Sequence, residues 1–253
     1  WDMPMNHMET NCMAVLHQLE ALRRHSPACR YYNAGSSEEF GDVEWTPQAE
    51  IHPLRPRSPY GASKCAARHL VKVYRDSYDL YAVQGWLFNH EGVRRGEEFV
   101  TRKITTNISR IFTEFVNHKK INPIQLGNVD AKRDWSDAED FVDGVWKMLN
   151  QDKPKDYVLS SNETHTIREF VEEAFNFAGF GRNECYWEGE GENEKYFHGD
   201  KCVVEINPKF YRPAEVELLL GDSDKAREEL GWEPQTNFLQ LVKKMVDHDL
   251  NGG

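Results

Sequence analysis

A hydroxyl–carboxylate cluster and a tyrosine–lysine pair are the groups in this chain that could perform acid–base chemistry. Ser36, Ser37 and Glu38 follow a short apolar run, and Tyr60 precedes Lys64 at i, i+4 spacing. Such residues share one face of a helix, so the ammonium can lie near the phenol. A nearby cation favours the phenolate and lowers a pKa that is ordinarily about 10. The spacing predicts acid–base groups at Tyr60 and Glu38, with serine hydroxyls that orient a sugar oxygen.

Each of these residues also has an ordinary structural explanation. Ser36 and Ser37 could be turn residues that satisfy backbone donors, and Glu38 could be a solvated loop acid. Arg133 could belong to a structural ion pair beside a core tryptophan, and Arg212 could only shape a turn. Chemistry is favoured because the candidates fall at predicted strand ends or turns, at one edge of the expected sheet.

The elements that must position these residues alternate between strand and helix in the front of the chain. Residues 29–34 are aromatic-rich, end before a glycine and predict a buried strand. Ser58 and Pro59 are typical of a helix N-terminus, and the helix is expected to reach Tyr78. Its predicted inner stripe is Ala62, Ala66, Leu70, Val73 and Tyr74. Residues 81–88 predict the next strand, so the order is that of a parallel α/β sheet.

The back of the chain is predicted to be mixed. Further helices are expected over residues 8–23, 100–115, 137–149, 166–178, 223–230 and 237–248. Short strands are expected over residues 122–126 and 156–160. Residues 181–208 are polar, acidic and glycine-containing, and we expect them to be the least structured stretch.

Composition limits the class of protein and of partner. The 253 residues are 39% hydrophobic and 29% charged, enough for one sizeable core or two small domains. The net charge of −11 argues against nucleic acid or an anionic membrane as a partner. Five widely spaced cysteines without a CxxC pair, and no signal-peptide pattern, predict a cytoplasmic protein with reduced thiols. The scattered histidines predict no metal site.

A glycine-rich phosphate-binding turn is the feature that this plan lacks. No stretch reads GxGxxG or GxxGxxG, although such a turn joins the first strand of a dinucleotide-binding domain to its helix. Gly92 and Gly96 lie in a basic loop, and Gly189 and Gly191 lie in an acidic loop that would repel a pyrophosphate. The early strands of the sheet are therefore expected to be missing.

Several longer motifs resemble a known family. In chain order they are GSSEEFG, RPRSPYGASK, LFNHEGVRRGEEFVTRKIT, LGNVDAKRDW, FYRPAEVELLLGD and LGWEP. Together they resemble the GDP-mannose 4,6-dehydratase family of the extended short-chain dehydrogenase/reductase superfamily. The resemblance covers nearly the whole chain, and Trp1 corresponds to a position beyond the family's first strands. That offset would explain the absent glycine-rich turn.

The resemblance implies which residues are catalytic and what they do. The family's hydroxyl–x–Glu triplet, tyrosine and lysine fall on Ser36, Glu38, Tyr60 and Lys64. Bound NADP would take a hydride from C4 of the mannose ring while Tyr60 removes the O4 proton. Glu38 would then take the C5 proton as water leaves from C6, and the hydride would return to C6 to give a 4-keto-6-deoxy sugar. Glu38 is the informative residue, because simple epimerases of the superfamily need no C5 base.

Two positions depart from the family pattern. Ser36 stands where the family has threonine, so the hydroxyl is kept but the methyl group is lost. GVRRG replaces SPRRG, which retains Arg94 and Arg95 but changes the stiffness of the loop.

Other positions carry over from the family as ligand contacts. The cofactor contacts implied are Tyr60, Lys64, His90 and Arg95, the last reaching an NADP phosphate, often from a neighbouring subunit. The substrate contacts implied are Ser37, Asn89, Lys103, Gly127, Asn128, Arg133, Arg212 and Glu215. Arginine and lysine donors suit a diphosphate, and Glu215 could accept hydrogen bonds from a guanine edge or a ribose. A homodimer or homotetramer is implied, and NAD stays possible in place of NADP.

We therefore predict an α/β fold in which a partial Rossmann-type parallel sheet is followed by a smaller mixed α/β portion. Residues 1–120 would form a partial dinucleotide-binding domain with the catalytic residues. Residues 121–253 would mainly bind the nucleotide sugar, with some segments returning to the first domain. The expected activity is conversion of GDP-mannose to GDP-4-keto-6-deoxymannose. A related nucleotide-sugar epimerase or reductase, or a truncated non-catalytic nucleotide-sugar-binding remnant, remain alternatives.

Overall fold

The computed structural model describes residues 3–210 and 219–252. In chain order the helices are α1 Pro4–Met8, α2 Ala14–His25, α3 Pro59–Tyr78, α4 Val100–Val116, α5 Ala138–Leu149, α6 Ile167–Phe177, α7 Asp224–Leu230 and α8 Phe238–Leu250. A π-helical segment, Glu9–Met13, joins α1 to α2. The strands are β1 Tyr31–Ser36, β2 Ala82–Leu87, β3 Asn89–Glu91, β4 Ile124–Leu126, β5 Lys132–Arg133, β6 Trp135–Asp137, β7 Tyr157–Leu159, β8 His165–Thr166, β9 Cys185–Glu188, β10 Lys195–His198 and β11 Lys201–Ile206.

The chain packs into two compact units, each made of three chain segments. The first comprises residues 1–90, 134–164 and 219–235, and the second comprises residues 91–133, 165–218 and 236–253. Residues 134–164 and 219–235, which follow residue 120, thus pack in the first unit. The reason is that strand β7 returns to β2 late in the sequence, because parallel pairing requires a long crossover.

A parallel three-stranded sheet, in the order β1-β2-β7, forms the centre of the first unit. One apolar cluster on it joins α2 and α3 to the sheet through residues such as Leu19, Val71 and Ala82. A second cluster joins α5 and α7 to the sheet through residues such as Phe141 and Leu159. The predicted α/β class with a parallel sheet is confirmed.

Helix α3 begins and ends where the sequence predicts. The Ser58 hydroxyl accepts a hydrogen bond from the Gly61 backbone N–H at 3.0 Å, and Pro59 occupies the first helical position. The predicted inner stripe, in contrast, is partly wrong, because Val73 is 51% exposed whereas Val71 is fully buried. The buried positions of the helix are Gly61, Ser63, Ala67, Val71 and Tyr74. Two of these buried positions are small residues that contact neighbouring segments: Gly61 packs on the Glu38 backbone, and the Ser63 hydroxyl accepts a hydrogen bond from the Asn11 side chain at 3.2 Å.

The second unit contains a four-stranded mixed sheet in the order β4-β11-β10-β9, and helices α4, α6 and α8 contact one another beside it. Strands β9, β10 and β11 all lie within residues 181–208, so the expectation of a poorly structured stretch there is wrong. Apolar residues such as Tyr196, Val203 and Val204 are buried along these strands. Their pattern was obscured by acidic turns, and the parallel partner β4 lies far away in sequence.

Three further features bear on class and chemistry. No helix in residues 3–210 or 219–252 is long and apolar enough to cross a membrane. Over the same residues, no three histidine, cysteine or acidic side chains are grouped so as to hold a metal ion. All five cysteines are free thiols, with Cys12 buried and Cys29 exposed.

Candidate active site

Strand β1 ends in a tight turn that presents the predicted hydroxyl and carboxylate. Ser36 is the last residue of β1 and the N-cap of a 3₁₀ turn, Ser37–Glu39. The Ser36 hydroxyl accepts a hydrogen bond from the Glu38 backbone N–H at 3.2 Å. Ser37 is buried, whereas Glu38 is only half-buried. The cap therefore fixes the backbone from which the Glu38 carboxylate projects.

Glu39, which sequence reasoning missed, is the fully buried member of this acidic pair. One oxygen of its carboxylate accepts from the Ser36 backbone N–H at 2.9 Å and from the Gln84 side-chain amide at 3.1 Å. The other accepts from the Trp86 indole N–H at 2.9 Å. Burial raises the pKa of Glu39 to about 7, against the lowering effect of these donors and of the positive charges of Lys64 and Arg68. A signal was present in the sequence, because Ser36 and Glu39 form the S-x-x-E pattern of a capping box.

The predicted tyrosine–lysine pair occupies the first turns of α3. The Lys64 ammonium lies 5.7 Å from the centroid of the Tyr60 ring, as the i, i+4 spacing predicts. The same ammonium donates a hydrogen bond to the Ala34 carbonyl at 3.1 Å. Burial lowers the pKa of Lys64, while the charge of Glu39 raises it. The helix thus holds a cation beside both the phenol and the end of strand β1.

The turn and the helix meet through a glycine. A Cβ atom at Gly61 would lie 2.6 Å from the Glu38 carbonyl oxygen, closer than real side chains approach. Gly61 directly follows Tyr60, so the absence of a side chain allows the first turn of α3 to pack on the Glu38 backbone. The structure thereby brings Ser36, Glu38, Tyr60 and Lys64 to the carboxyl end of β1.

The end of strand β2 carries two further predicted residues of the first unit. The Asn89 backbone N–H donates to the Asp134 carbonyl at 3.1 Å. His90 Nδ1 lies 3.0 Å from the Phe88 carbonyl, so this nitrogen carries the proton. The His90 ring stacks on Phe141 with ring centroids 5.3 Å apart. Both residues are therefore held next to the sheet edge by backbone and ring contacts.

Asp134 is a structural carboxylate of the first unit. It is fully buried and accepts hydrogen bonds from Ser161, through backbone N–H and hydroxyl at 2.8 and 2.6 Å, and from the Gly221 backbone N–H. Burial raises the pKa of Asp134 to about 6. It joins chain segments that are distant in sequence.

In the second unit, Arg95 is engaged inside its own chain. Its guanidinium forms an ion pair with the buried carboxylate of Glu91 at 3.1 Å and lies 3.4 Å from the centroid of the Phe99 ring. Glu91 also accepts a hydrogen bond from the Thr101 hydroxyl at 2.5 Å. The arginine is therefore fixed at the start of α4 by a charge and an aromatic face.

Lys103 and Gly127 both lie against Phe210, an aromatic residue that sequence reasoning missed. The Lys103 ammonium is 3.7 Å from the centroid of the Phe210 ring, and a Cβ atom at Gly127 would lie 2.5 Å from the Phe210 carbonyl oxygen. Burial lowers the pKa of Lys103. Asn128 shapes its own turn, since its side-chain oxygen accepts from the Asp130 backbone N–H at 3.0 Å.

Arg133 is buried in strand β5, where its guanidinium donates to the Lys132 carbonyl at 2.7 Å. The remaining predicted substrate contacts, Arg212 and Glu215, lie outside the described residues. The predicted site residues are thus distributed over both units, with the acid–base groups in the first.

Comparison with known proteins confirms the resemblance carried by the motifs. The family described as GDP-mannose 4,6 dehydratase matches residues 1–245 of this chain. GDP-mannose 4,6 dehydratase of Drosophila melanogaster is 43% identical over 246 residues, which cover 96% of this chain and 60% of that protein. The chain therefore spans about 60% of the length of this curated relative.

Solved structures of low sequence identity share the fold. A structure of RMD from Pseudomonas aeruginosa complexed with NADPH has a TM-score of 0.80 at 20% identity, covering 98% of this chain and 75% of that one. A dTDP-glucose 4,6-dehydratase from Bacillus anthracis in complex with NAD has a TM-score of 0.76 at 20% identity, covering 97% and 69%. These similarities confirm the Rossmann-type architecture. The match of this family over residues 1–245 shows that the chain belongs to the GDP-mannose 4,6 dehydratase family.

Proposed function

We propose that this protein is a nucleotide-sugar 4,6-dehydratase that converts GDP-mannose to GDP-4-keto-6-deoxymannose. The observation that carries the proposal is the contact between the Glu38 turn and the first turn of α3, where a Cβ at Gly61 would lie 2.6 Å from the Glu38 carbonyl oxygen. A half-buried carboxylate and the Tyr60–Lys64 pair therefore share one sheet edge. A dehydratase needs this extra acid–base group, whereas a 4-epimerase does not.

Each side chain of the pair and the turn has a role that follows from its chemistry. Tyr60, with the Lys64 ammonium beside its ring, would remove the O4 proton of the mannose as C4 is oxidised. The hydroxyl of Ser36 would hydrogen-bond to O4. The C4 ketone makes the C5 proton acidic, and Glu38 would remove it while water leaves from C6.

A bound nicotinamide cofactor would supply the hydride acceptor for C4 and the hydride donor for C6. The donors at the sheet edge fit such a group. The Lys64 ammonium has three N–H donors, and the Ala34 carbonyl accepts a hydrogen bond from one of them. Open parallel sheets also bind nucleotides beyond the carboxyl ends of their strands. We propose that Tyr60, Lys64, His90 and Arg95 contact the cofactor. NADP is proposed, with NAD as the alternative.

The nucleotide-sugar contacts are proposed from the family motifs. They are Ser37, Asn89, Lys103, Gly127, Asn128, Arg133, Arg212 and Glu215. Ammonium and guanidinium groups suit the diphosphate because charged donors form strong hydrogen bonds with its oxygens. We further propose a homodimer or homotetramer, in which Arg95 of a neighbouring subunit would reach a cofactor phosphate.

Product analysis tests this proposal. The intact protein is incubated with GDP-mannose and NADP, and the nucleotide sugar is analysed by mass spectrometry. We expect a product that has lost one water and carries a ketone, without net accumulation of NADPH. A Glu97→Gln variant, which changes an exposed loop carboxylate, serves as the control and should give the same product.

Two other outcomes would replace the proposal. A product of unchanged mass but altered C4 configuration would identify a nucleotide-sugar epimerase, and the dehydratase assignment would be wrong. Calorimetric binding of GDP-mannose by a protein that binds neither NADP nor NAD would identify a non-catalytic nucleotide-sugar-binding protein.

A further inference from the structure

Two consecutive glutamates occupy opposite environments at the end of strand β1. Glu38 is half-buried, whereas Glu39 has no exposed surface. The function proposed above uses Glu38 and leaves Glu39 without a role. A buried carboxyl group loses its hydration, so it is expected only where its surroundings replace the lost hydrogen bonds.

The surroundings of Glu39 consist of hydrogen-bond donors. One carboxylate oxygen accepts from the Ser36 backbone N–H and the Gln84 amide at 2.9 and 3.1 Å, and the other accepts from the Trp86 indole at 2.9 Å. An ionised carboxylate accepts at both oxygens, whereas an amide must direct its NH₂ group towards one of these donors. Replacement of Glu39 by its isosteric amide would therefore lose one of these hydrogen bonds.

The backbone is shaped for the same contact. A Cβ atom at Gly35 would lie 1.9 Å from the Gln84 amide nitrogen and 2.8 Å from a Glu39 carboxylate oxygen. Only glycine leaves room for these two side chains to meet across β1. The Gln84 amide is oriented in turn by Asn33, whose side-chain N–H donates to the Gln84 oxygen at 2.5 Å. The carboxylate thus belongs to a buried network that joins β1, β2 and the turn.

The titratable and charged groups that face Glu39 come from two elements. Lys64 and Arg68 on α3 lower its pKa, and burial raises it to about 7. Burial is the main influence on three neighbours of Glu39, since it lowers the pKa of Lys64 and raises the pKa values of Cys65 and Tyr32. The charge of Glu39 acts in addition and favours the protonated form of each. Lys64 is the one of these groups that also lies beside Tyr60.

We propose that Glu39 is a positioning residue, which fixes the Ser36–Glu38 turn against β2 through its hydrogen bonds to Ser36, Gln84 and Trp86 and places a negative charge that favours the Lys64 ammonium beside Tyr60. This inference rests on the proposed function for its catalytic consequence, but not for its electrostatic one. Because Glu39 has no exposed surface, we expect it to act through its neighbours and not through a ligand contact of its own. Its loss should therefore lower kcat and change the pH profile, while the KM for the nucleotide sugar changes little.

The electrostatic part is tested by NMR titration of protein labelled at lysine Cε, with the Lys64 signal assigned through a Lys64→Arg variant. In the parent protein we expect that signal to show an additional inflection near pH 7, where Glu39 ionises. In Glu39→Gln the inflection should disappear, and the Lys64 midpoint should fall by at least about half a pH unit. Neither the inflection nor the shift of the midpoint requires catalysis, and the inflection is measured without a variant at Glu39.

A matched control is available in the same unit. Glu50 is a partly buried carboxyl group whose pKa is also raised by burial, and it accepts a hydrogen bond from the Val158 backbone N–H. Glu50→Gln should leave the Lys64 titration as in the parent. A parent Lys64 signal without an inflection near pH 7, or a Lys64 midpoint unchanged in Glu39→Gln, would refute the proposed electrostatic role.

The kinetic part is measured on the intact protein with GDP-mannose and NADP. We expect the kcat of the parent to fall below about pH 7, and that of Glu39→Gln to be lower at pH 8 without this acid limb. Equal kcat and equal pH profiles would refute the positioning role. If no substrate turns over in the parent, the proposed function fails, while the Lys64 titration still decides the electrostatic role of Glu39.

Discussion

Lys64 donates a hydrogen bond from its ammonium to the Ala34 carbonyl at 3.1 Å, and so joins helix α3 to the end of strand β1. The carbonyl fixes the ammonium on the side of the helix that carries Tyr60, whose ring centroid is 5.7 Å away. A lysine tied to the backbone is a better electrostatic partner than a freely rotating one, because fewer conformations place its charge elsewhere. The same bond couples the acid–base pair to the turn that holds Glu38.

Replacement of Glu38 tests the C5 base. Glu38→Gln keeps the size of the side chain and the 3₁₀ turn, since the cap uses only the Glu38 backbone N–H. We expect dehydration to fall by at least about 100-fold, because a general base is lost. The measurement is product formation from GDP-mannose, with nucleotide-sugar binding followed by calorimetry. Full dehydration activity in this variant would show that a group other than Glu38 removes the C5 proton.

Two replacements of Ser36 distinguish the role of its hydroxyl in capping the turn from the effect of the methyl group that serine lacks relative to threonine. Ser36→Ala removes the acceptor for the Glu38 N–H and should destabilise the protein by about 1 kcal/mol while it lowers activity. Ser36→Thr keeps the hydroxyl and should keep both stability and the 4-keto product. Urea unfolding and product assays on the two variants measure this. Equal behaviour of the alanine and threonine variants would contradict the role of the hydroxyl.

Gly35 is expected to tolerate no side chain. A Cβ atom there would lie 1.9 Å from the Gln84 amide and 2.5 Å from the Gly85 carbonyl oxygen. Gly35→Ala should therefore destabilise the protein by about 2 kcal/mol or more, because the buried strands must move apart. Thermal unfolding gives the measurement.

A glycine with a different environment serves as the control for that experiment. At Gly96 the atoms nearest to an added Cβ belong to the carboxylate of Glu98, an exposed and flexible side chain. Gly96→Ala should change stability by less than about 0.5 kcal/mol. A Gly35→Ala variant as stable as Gly96→Ala would show that the packing between β1 and β2 is looser than the structure indicates.

The buried carboxyl of Glu39 should make stability depend on pH. Its folded-state pKa of about 7 lies above the ordinary value of 4.5, so the unfolded chain loses this proton first as pH rises. Stability should therefore fall between pH 4.5 and pH 7, by about 3 kcal/mol from this group alone. Glu39→Gln cannot ionise and should lack this slope.

The pH prediction is measured by urea unfolding of parent and variant over that range. Glu97→Gln, at an exposed position, should retain the slope of the parent. A Glu39→Gln variant whose stability falls with pH as steeply as that of the parent would assign the slope to another group. Asp134, with a pKa raised to about 6, is the candidate in that case.

Much of the local structure followed from short-range sequence patterns. The Ser58–Pro59 start of α3 was predictable, and α6 begins directly after Thr166, where a helix was expected to start. Such signals depend on residues within one helical turn. Residues 181–208 were mispredicted because their strands gain most of their hydrogen bonds from one another and from β4. Pairing of that kind is not encoded in any single segment.

The sequence by itself determined the family and the identity of the acid–base candidates, because motifs and i, i+4 spacing are local properties. Only the tertiary structure decided which of two adjacent glutamates is buried. Two donors to Glu39 are the side chains of Gln84 and Trp86, which come from a strand far along the chain. Space for this contact exists because position 35 is glycine. Burial and electrostatic environment are set by such long-range neighbours, so the role of Glu39 could not be read from its position beside Glu38.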